Sequence, residues 1–319
     1  MRCSLFTINI LCTFCAALIP GSQSYADLSP RYQDLNHDLV ADVPTDPARW
    51  RNPNILIFAY TPVEDPALYS QVWDSFIDHV SAKTGKEIRF FPVQSNAAQL
   101  EAMRAGRLHI AGFNTGSTPV AVNCTGFVPF TLMAAEDGSY GYEMEIITFP
   151  GSGIETPADL TGRRLAFTSP TSNSGFKAPS TLLDVEFGLR ADRDFRAVYS
   201  GSHDNSILGV INKDYDAAAI ANEVLQRMQA RDVVRADQYV SIYTSLTFPT
   251  TAYGLAHDLH PDLAEKIRDA FFSFEWEGSA LQREFADAGM AQFLPINYQQ
   301  HWQVIRDIDE ATNTAYNCD

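Results

Sequence analysis

The sequence has few cysteines and few basic residues, and each shortage excludes a class of protein. The 319 residues include five cysteines. Cys3, Cys12 and Cys15 lie within the first 26 residues, and Cys124 and Cys318 lie further along the chain. No Cys/His cluster has the spacing of a zinc site. Lysine and arginine number 23 against 39 acidic residues, giving a formal net charge of −16. That balance argues against a nucleic-acid partner.

The chain also lacks an apolar run long enough to span a membrane. Its most apolar stretch, residues 5–20, is short and interrupted, and it follows Arg2. Ser24-Tyr-Ala26 then provides a small-x-small cleavage site before Asp27. We therefore expect a signal peptide over residues 1–26 and a soluble protein exported to the periplasm. An uncleaved signal anchor is the alternative.

Cys124 and Cys318 are the two cysteines that remain after removal of the signal. In an oxidising compartment such an isolated pair is a candidate disulfide. The bridge would pin the carboxyl-terminal tail to an early part of the chain. Two free thiols are the alternative.

Short apolar runs alternate along the chain with segments whose apolar residues have helical spacing. Apolar runs predict strands at 55–59, 88–92, 108–113, 131–135, 142–149, 164–168, 195–199, 216–220, 240–243 and 251–256. Helical spacing predicts helices at 68–84, 95–104, 177–189 and 205–212, from 223 onward, and through most of 261–314. The strand–helix rhythm occurs twice, which is typical of two α/β layers with parallel strands.

Two α/β layers in series predict two lobes joined by two crossings, with strands near 142–149 and 250–256 between them. The first lobe is expected over 27–145 with 255–319, and the second over 146–254. Each lobe should be an α/β sandwich, with a ligand cleft between the two. Ligands of open α/β sheets lie beyond the carboxyl ends of the strands. Polar turns occur at such ends at Tyr60-Thr61, Ser95-Asn96, Asn114-Thr115, Ser172–Ser174, Ser202-His203 and Asn222-Glu223.

One turn, Ser169–Phe176, has the strongest character of a ligand-binding segment. It joins a predicted strand to a predicted helix, whose first N–H groups lack intrahelical partners and attract oxyanions. Ser172, Asn173 and Ser174 add short donors there, and Gly175 allows close approach of the backbone. The same residues also serve as an ordinary helix cap, which is the plainer interpretation of this turn.

With these motifs in order, the chain resembles the periplasmic substrate-binding proteins of phosphate/phosphite/phosphonate ABC transporters. The resemblance covers about residues 53–295, and its best local match is Pro170-Thr-Ser-Asn-Ser-Gly-Phe176. Support comes from Ala105–Gly112, Gly201-Ser-His203 and Asp216–Glu223. The family implies a type II periplasmic-binding-protein fold.

The resemblance also implies roles for individual residues. Ser172, Asn173 and Ser174 would hold the oxygens of the phosphorus group, and His203 would donate to the same group. Tyr142 and Glu223 match positions that face the organic end of the ligand in aminophosphonate binders. Glu223 could instead cap its helix.

Two departures from the family pattern bear on the ligand. Thr251 stands where the family often has an aspartate that meets an amine, and Ser95 or Asn96 stands near a family tyrosine. Asn173 replaces the central threonine of the serine turn. Loss of the aspartate favours a small or neutral-tailed anion over a cationic aminophosphonate.

The sequence therefore predicts a monomeric solute-binding protein that delivers a phosphonate, phosphite or phosphate to the permease of an ABC transporter. No cofactor, metal or nucleic acid is expected. A sensor for a histidine kinase or chemoreceptor, and a binder of another small anion such as a sulfonate, are the alternatives. Enzymatic activity is not expected, because Ser174, His203 and Asp204 lack the nucleophile elbow that a hydrolase triad uses.

Overall fold

The computed structural model describes residues 28–61, 64, 69, 71–286, 288–312, 314–316 and 318. The expected signal peptide and its cleavage site lie outside these residues. Within the described residues, every helix is too short or too polar to cross a membrane.

Eleven strands of the described chain form two separate sheets. The strands are β1 Ile55–Tyr60, β2 Glu87–Phe90, β3 Ile110–Phe113, β4 Phe127–Ala134, β5 Met144–Thr148, β6 Arg164–Phe167, β7 Arg196–Tyr199, β8 Ala217–Ala221, β9 Val240–Thr244, β10 Ala252–Ala256 and β11 Gln292–Pro295. The first sheet has the order β11-β4-β10-β3-β1-β2, and the second has the order β7-β6-β8-β5-β9. Each sheet is mixed: the strands at one edge are parallel (β3-β1-β2 in the first sheet and β7-β6-β8 in the second), and the remaining pairs are antiparallel.

Helices lie between these strands and cover the sheets. They are α1 Asp74–Thr84, α2 Asn96–Arg104, α3 Thr118–Thr125, α4 Ala178–Phe187, α5 His203–Ile211, α6 Asn222–Ala230, α7 Pro261–Phe272, α8 Ala280–Phe285, α9 Tyr298–His301 and α10 Gln303–Ala311. The helices pack through apolar faces, as in α7, where Leu263, Ile267 and Phe271 repeat every four residues and are buried. Aromatic rings fill the core of the first sheet, where Phe58 and Trp73 meet edge to face at 4.8 Å.

The chain passes from the first sheet to the second after β4 and returns before β10. The two crossing segments pair with each other, because Tyr142 and Phe248 exchange backbone hydrogen bonds of 3.0 and 2.8 Å. Sheet membership places the whole of β5 in the second sheet and the whole of β10 in the first. The expected lobe boundaries, 145/146 and 254/255, fall inside these two strands.

Three elements differ from the sequence-based expectation. The tail is not helical throughout, because β11 adds an antiparallel strand to the edge of the first sheet beside β4. Helix α3 was not predicted, since nearly all of its residues are buried and no polar face marks its period. Strand β4 begins at Phe127, four residues before the predicted run.

Cys124 and Cys318 form the expected disulfide, with their Cα atoms 4.9 Å apart. The bridge joins the end of α3 to the carboxyl terminus. Arg104 Nη1 also donates to the carbonyl of Cys318 at 3.1 Å. The tail is thus held against the first sheet from two sides.

Candidate ligand-binding site

The serine turn follows β6 and forms a single π-helical segment, Asn173–Lys177, before α4. Ser172 caps this segment, because its Oγ accepts a hydrogen bond from the Gly175 N–H at 3.0 Å. Glycine is required at 175, since a Cβ there would lie 2.0 Å from Thr168 Oγ1. The turn is therefore tight, and the Ser172 hydroxyl hydrogen stays available for a further acceptor.

Gly116, which follows β3 of the first sheet, packs directly against this turn. A Cβ on Gly116 would lie 2.4 Å from the Thr171 carbonyl oxygen and 2.5 Å from the Asn173 nitrogen. Nothing larger than glycine fits there while the turn keeps its place. The close approach brings residues of both sheets to one small pocket.

That pocket has a volume of about 20 Å³, so a ligand larger than one water-sized group must widen it on binding. It is lined by Asn114, Thr115, Tyr142, Ser172, Asn173, Ser174, His203, Ala221, Glu223, Val224 and Thr251. All of the sequence-predicted site residues except Tyr60 and Asn96 are in this lining. The convergence of polar turns at the carboxyl ends of strands is therefore present in the structure.

Tyr60 and Asn96 line two other cavities, an inner cavity and an outer cleft, that each share residues with the pocket. Asn96 lines an outer cleft of about 500 Å³ that shares Asn114, Ser172 and His203 with the pocket. Its Nδ2 donates to Thr171 Oγ1 at 2.9 Å, so it joins the two sheets.

On the inner side is a second cavity, of about 20 Å³, that shares Glu223 and Thr251 with the pocket. Tyr60 lines it and stacks on Tyr253 with ring centroids 6.2 Å apart. Burial raises the pKa of Tyr60, so its phenol stays protonated.

His203 presents a neutral ring to the pocket. Its Nδ1 accepts a hydrogen bond from the Ala221 N–H at 3.1 Å, which leaves the proton on Nε2. Burial, assisted by the Arg227 guanidinium, lowers the pKa of His203 to about 4. At neutral pH the residue is therefore a fixed N–H donor without a charge.

Tyr142 is oriented by a hydrogen bond within the pocket lining, and Thr115 by contacts outside it. Asn173 Nδ2 donates to the Tyr142 hydroxyl at 3.2 Å, so that hydroxyl can donate its own hydrogen onward. Thr115 Oγ1 donates to the carbonyl of Pro249 at 2.7 Å. The carbonyl of Thr115 in turn accepts from Trp302 Nε1 at 3.0 Å.

A buried charge network lies behind the pocket, and the sequence analysis missed it. Glu64 Oε1 lies 2.9 Å from Arg227 Nε, and Glu64 Oε2 lies 2.6 Å from Arg231 Nη1. Burial opposes the charge of Glu64, yet the two arginines hold its pKa below the ordinary value. Glu223 and Arg227 are four residues apart on α6, and this i, i+4 spacing is the one feature of the sequence that could have indicated their pairing. Nothing in the sequence indicates that Glu64 joins them.

Glu223 is the pocket residue that this network touches. Its Oε2 lies 3.9 Å from Arg227 Nη1. Burial raises the pKa of Glu223, partly offset by Arg227 and reinforced by Glu64. The pocket thus combines neutral donors with one carboxyl group.

The arrangement is suited to holding a small anion rather than to covalent chemistry. The pocket is lined by residues that carry hydroxyls, by His203 and by Ser172–Ser174 of the turn. His203 Nδ1 accepts from a backbone N–H and Nε2 carries the ring proton, so neither nitrogen has a free lone pair to act as a base toward a serine. In the described residues, no cluster of three or more His, Cys, Asp or Glu side chains could hold a metal.

Two mixed α/β sheets, crossed twice by the chain and enclosing a polar pocket, define a type II periplasmic-binding-protein fold. The sequence profile of the family described as "ABC transporter, phosphonate, periplasmic substrate-binding protein" matches residues 58–302. The chain belongs to this family, and it is a substrate-binding protein for ABC import, not an enzyme.

Individual relatives agree with that assignment. The phosphate-import protein PhnD of Mycolicibacterium smegmatis is 26% identical over 242 residues, which are 71% of this chain and 75% of that protein. A binding protein component of an ABC phosphonate transporter from Pseudomonas aeruginosa has a TM-score of 0.72 at 22% identity, covering 82% of this chain and 90% of its own. PhnD1 of Prochlorococcus marinus, in complex with methylphosphonate, has a TM-score of 0.73 at 16% identity, covering 82% and 99%.

Proposed function

We propose that this protein captures a small tetrahedral phosphorus oxyanion in the pocket formed by the serine turn, His203 and Thr251. In this proposal each sheet with its helices is one lobe, and the mature chain works as a monomer in the periplasm. The loaded protein delivers the ligand to the permease of an ABC transporter. The names of the relatives, which include a phosphate importer and a methylphosphonate complex, support this ligand class.

The observation that carries the proposal is the donor set of the pocket. Ser172 and Ser174 contribute hydroxyls, His203 contributes Nε2–H, and Asn173 and Ser174 contribute backbone N–H groups at the start of a helical segment, where no intrahelical partner is within reach. Such groups bind oxyanions without a formal positive charge, so the acidity of the whole chain is no obstacle. In the proposed complex Asn114, Thr115, Tyr142 and Thr251 surround the remaining face of the ligand.

The size and lining of the pocket favour a ligand with little or no organic tail. Its volume is about 20 Å³, and the inner cavity beyond Glu223 and Thr251 is equally small and lined by Tyr60, Met133 and Tyr253. Thr251 carries no charge to hold an amine. Phosphate, phosphite and methylphosphonate therefore suit the site better than 2-aminoethylphosphonate does.

Titration calorimetry on the mature chain tests the proposal. The panel is phosphate, phosphite, methylphosphonate, 2-aminoethylphosphonate and sulfate, in a buffer free of phosphate. At least one of the first three should bind more tightly than 2-aminoethylphosphonate and sulfate. Absence of binding by every phosphorus oxyanion would overturn the proposal.

A further inference from the structure

Four charged side chains behind the pocket join the two halves of the molecule. Glu64 follows β1 of the first sheet, and Glu284 lies on α8, which packs on α1 beside that sheet. Arg227 and Arg231 lie on α6, which follows β8 of the second sheet. Every ion pair between these acids and these arginines therefore crosses from one sheet to the other. We call the four residues the inter-lobe cluster.

Glu64 is the centre of the inter-lobe cluster. Its side chain is 1% exposed, and its carboxylate accepts from Arg227 Nε at 2.9 Å, Arg231 Nη1 at 2.6 Å and the Tyr69 hydroxyl at 2.9 Å. Arg231 Nη2 also donates to Glu284. The four charges are therefore linked without interruption across the boundary between the sheets.

Arg227 depends on Glu64 for its pairing. The Arg227 side chain is 2% exposed, and neither Nη atom has a hydrogen-bond partner among the described residues. Glu223 Oε2 lies 3.9 Å from Nη1, which is beyond hydrogen-bond distance. Burial of a charged group is costly unless the group is paired. Closing the two sheets over Arg227 therefore requires the Glu64 carboxylate.

We propose that the inter-lobe cluster stabilises the closed arrangement of the two lobes and thereby sets the affinity for the ligand. Arg231 and Glu284 act as positioning residues, because neither is among the described residues that line the pocket or the outer cleft. The effect on affinity rests on the proposed function. The conformational effect also applies to the ligand-free protein, where the cluster keeps a fraction of the molecules closed and its loss lowers that fraction.

Long-range attraction of the anion by the arginines is the competing explanation. Both explanations predict weaker binding when an arginine is removed. Glu284 separates them, because the removal of its negative charge strengthens the attraction of an anion but breaks the contact with Arg231 that holds the lobes together. The two explanations therefore predict opposite effects of the same substitution.

The variant Glu284→Gln keeps the shape of the side chain and removes its charge. We expect calorimetry with phosphate, phosphite and methylphosphonate to show roughly 3- to 10-fold weaker binding than in wild type, between the value of an exposed and of a buried charged contact. Asp184→Asn is the matched control, since Asp184 pairs with Arg190 of the same lobe, and it should stay within about twofold of wild type. Wild-type or tighter binding by Glu284→Gln would overturn the proposal.

A double-mutant cycle tests whether Glu284 acts through Arg231. Arg231→Met alone should weaken binding by roughly 10- to 30-fold, because Glu64 then keeps a single guanidinium. In the Arg231→Met background, Glu284→Gln should cause no further weakening, since its partner is already absent. The same weakening by Glu284→Gln in both backgrounds would contradict the proposal.

A distance measurement on the ligand-free protein tests the conformational effect. Spin labels on Ala97→Cys and Asn205→Cys occupy exposed positions of α2 and α5, whose first residues line the outer cleft from the two sheets. Double electron–electron resonance should resolve a shorter, closed separation and a longer, open one. Arg231→Met should reduce the closed population several-fold, and Asp184→Asn should leave it unchanged. An unchanged distribution in Arg231→Met would reject the cluster as a determinant of closure.

The possible failures can be told apart. If phosphate, phosphite and methylphosphonate all fail to bind the wild-type protein, the proposed function fails, and the spin-label distances still decide the present inference. If at least one of them binds the wild-type protein and Glu284→Gln weakens none, only the present inference fails. Urea denaturation of each ligand-free variant confirms that the protein measured is folded.

Discussion

Lys177 and Asp309 form a buried ion pair between the serine turn and the carboxyl-terminal helix α10, with Nζ 2.7 Å from Oδ1. The two side chains are 4% and 0% exposed. Lys177 Nζ also donates to the Gly116 carbonyl at 2.8 Å. The last residue of the π-helical segment is therefore held by a charge on α10 and by a backbone carbonyl that follows β3.

We expect either single substitution of this pair, Lys177→Met or Asp309→Asn, to lower the free energy of unfolding by about 3–5 kcal/mol, because the remaining polar partner stays buried. The double variant Lys177→Met/Asp309→Leu should recover much of the loss. Urea denaturation measures all three. Single variants within about 0.5 kcal/mol of wild type would show that the pair contributes nothing to the fold.

The buried histidines predict a specific loss of stability in acid. The pKa of His203 is lowered to about 4, mainly by burial, and that of His109 likewise to about 4. Each is neutral when folded, whereas the unfolded chain takes up protons below a pH of about 6.5. The free energy of unfolding should therefore fall as pH drops from about 6.5 to 4, by up to about 3 kcal/mol per residue.

His203→Asn provides the check, because the Asn Oδ1 can accept from the Ala221 N–H in place of Nδ1 but does not titrate. Its acid-induced loss of stability between about pH 7 and 4 should be smaller than that of wild type. His109, whose Nδ1 accepts from the Ile57 N–H at 2.9 Å, still titrates in both proteins and cancels in the comparison. Identical pH profiles would show that His203 is not buried in neutral form.

The sequence was sufficient for features that depend on local pattern. β1 is a continuous apolar run, and the serine turn combines a strand, short polar donors and Gly175. Strand β11 could not be found this way, since one residue of Gln292–Pro295 is buried and a proline ends it. It is held by pairing with β4, which lies far away in sequence.

The charged groups behind the pocket likewise could not be predicted from local sequence pattern. Arg227 and Glu64 are 163 positions apart, and only the closing of the two sheets brings them to 2.9 Å. The i, i+4 spacing of Glu223 and Arg227 is also typical of pairs on a helix surface, whereas Arg227 is buried in this fold. Ion pairs between residues that only the tertiary fold brings together cannot be predicted from periodic patterns in the sequence.

The disulfide is expected to contribute strongly to stability. It closes a loop with a sequence separation of 194 residues, for which the chain-entropy model gives about 5 kcal/mol. Cys124→Ser/Cys318→Ser should unfold at lower urea concentration than wild type under oxidising conditions. With a reducing agent present, the two proteins should become nearly equal. A difference that persists after full reduction would assign the loss to packing around Cys124 instead of to the cross-link.

Closure of the lobes can be measured in solution. If each sheet with its helices moves as one body, the paired crossing at Tyr142 and Phe248 is the natural hinge, since it lies between the sheets. X-ray scattering should show a smaller radius of gyration when the best ligand of the panel is saturating. No change of radius on saturation would indicate a protein that stays closed or does not hinge.

The two serines of the turn should differ in a way that separates binding from folding. Ser172 Oγ accepts from the Gly175 N–H, so Ser172→Ala loses a cap worth about 1 kcal/mol as well as a ligand contact. Ser174→Ala keeps that cap and should lose the ligand contact together with a hydrogen bond to Tyr142. Each should weaken phosphorus oxyanion binding by roughly 10- to 100-fold.

Thr251→Ala, on the other side of the pocket, should weaken the binding of an inorganic anion less than the serine variants do. Thr251→Asp should weaken the binding of a dianion further. Calorimetry together with urea denaturation measures both effects. If both serine variants bind like wild type while Thr251→Ala abolishes binding, the oxyanion does not lie at this turn.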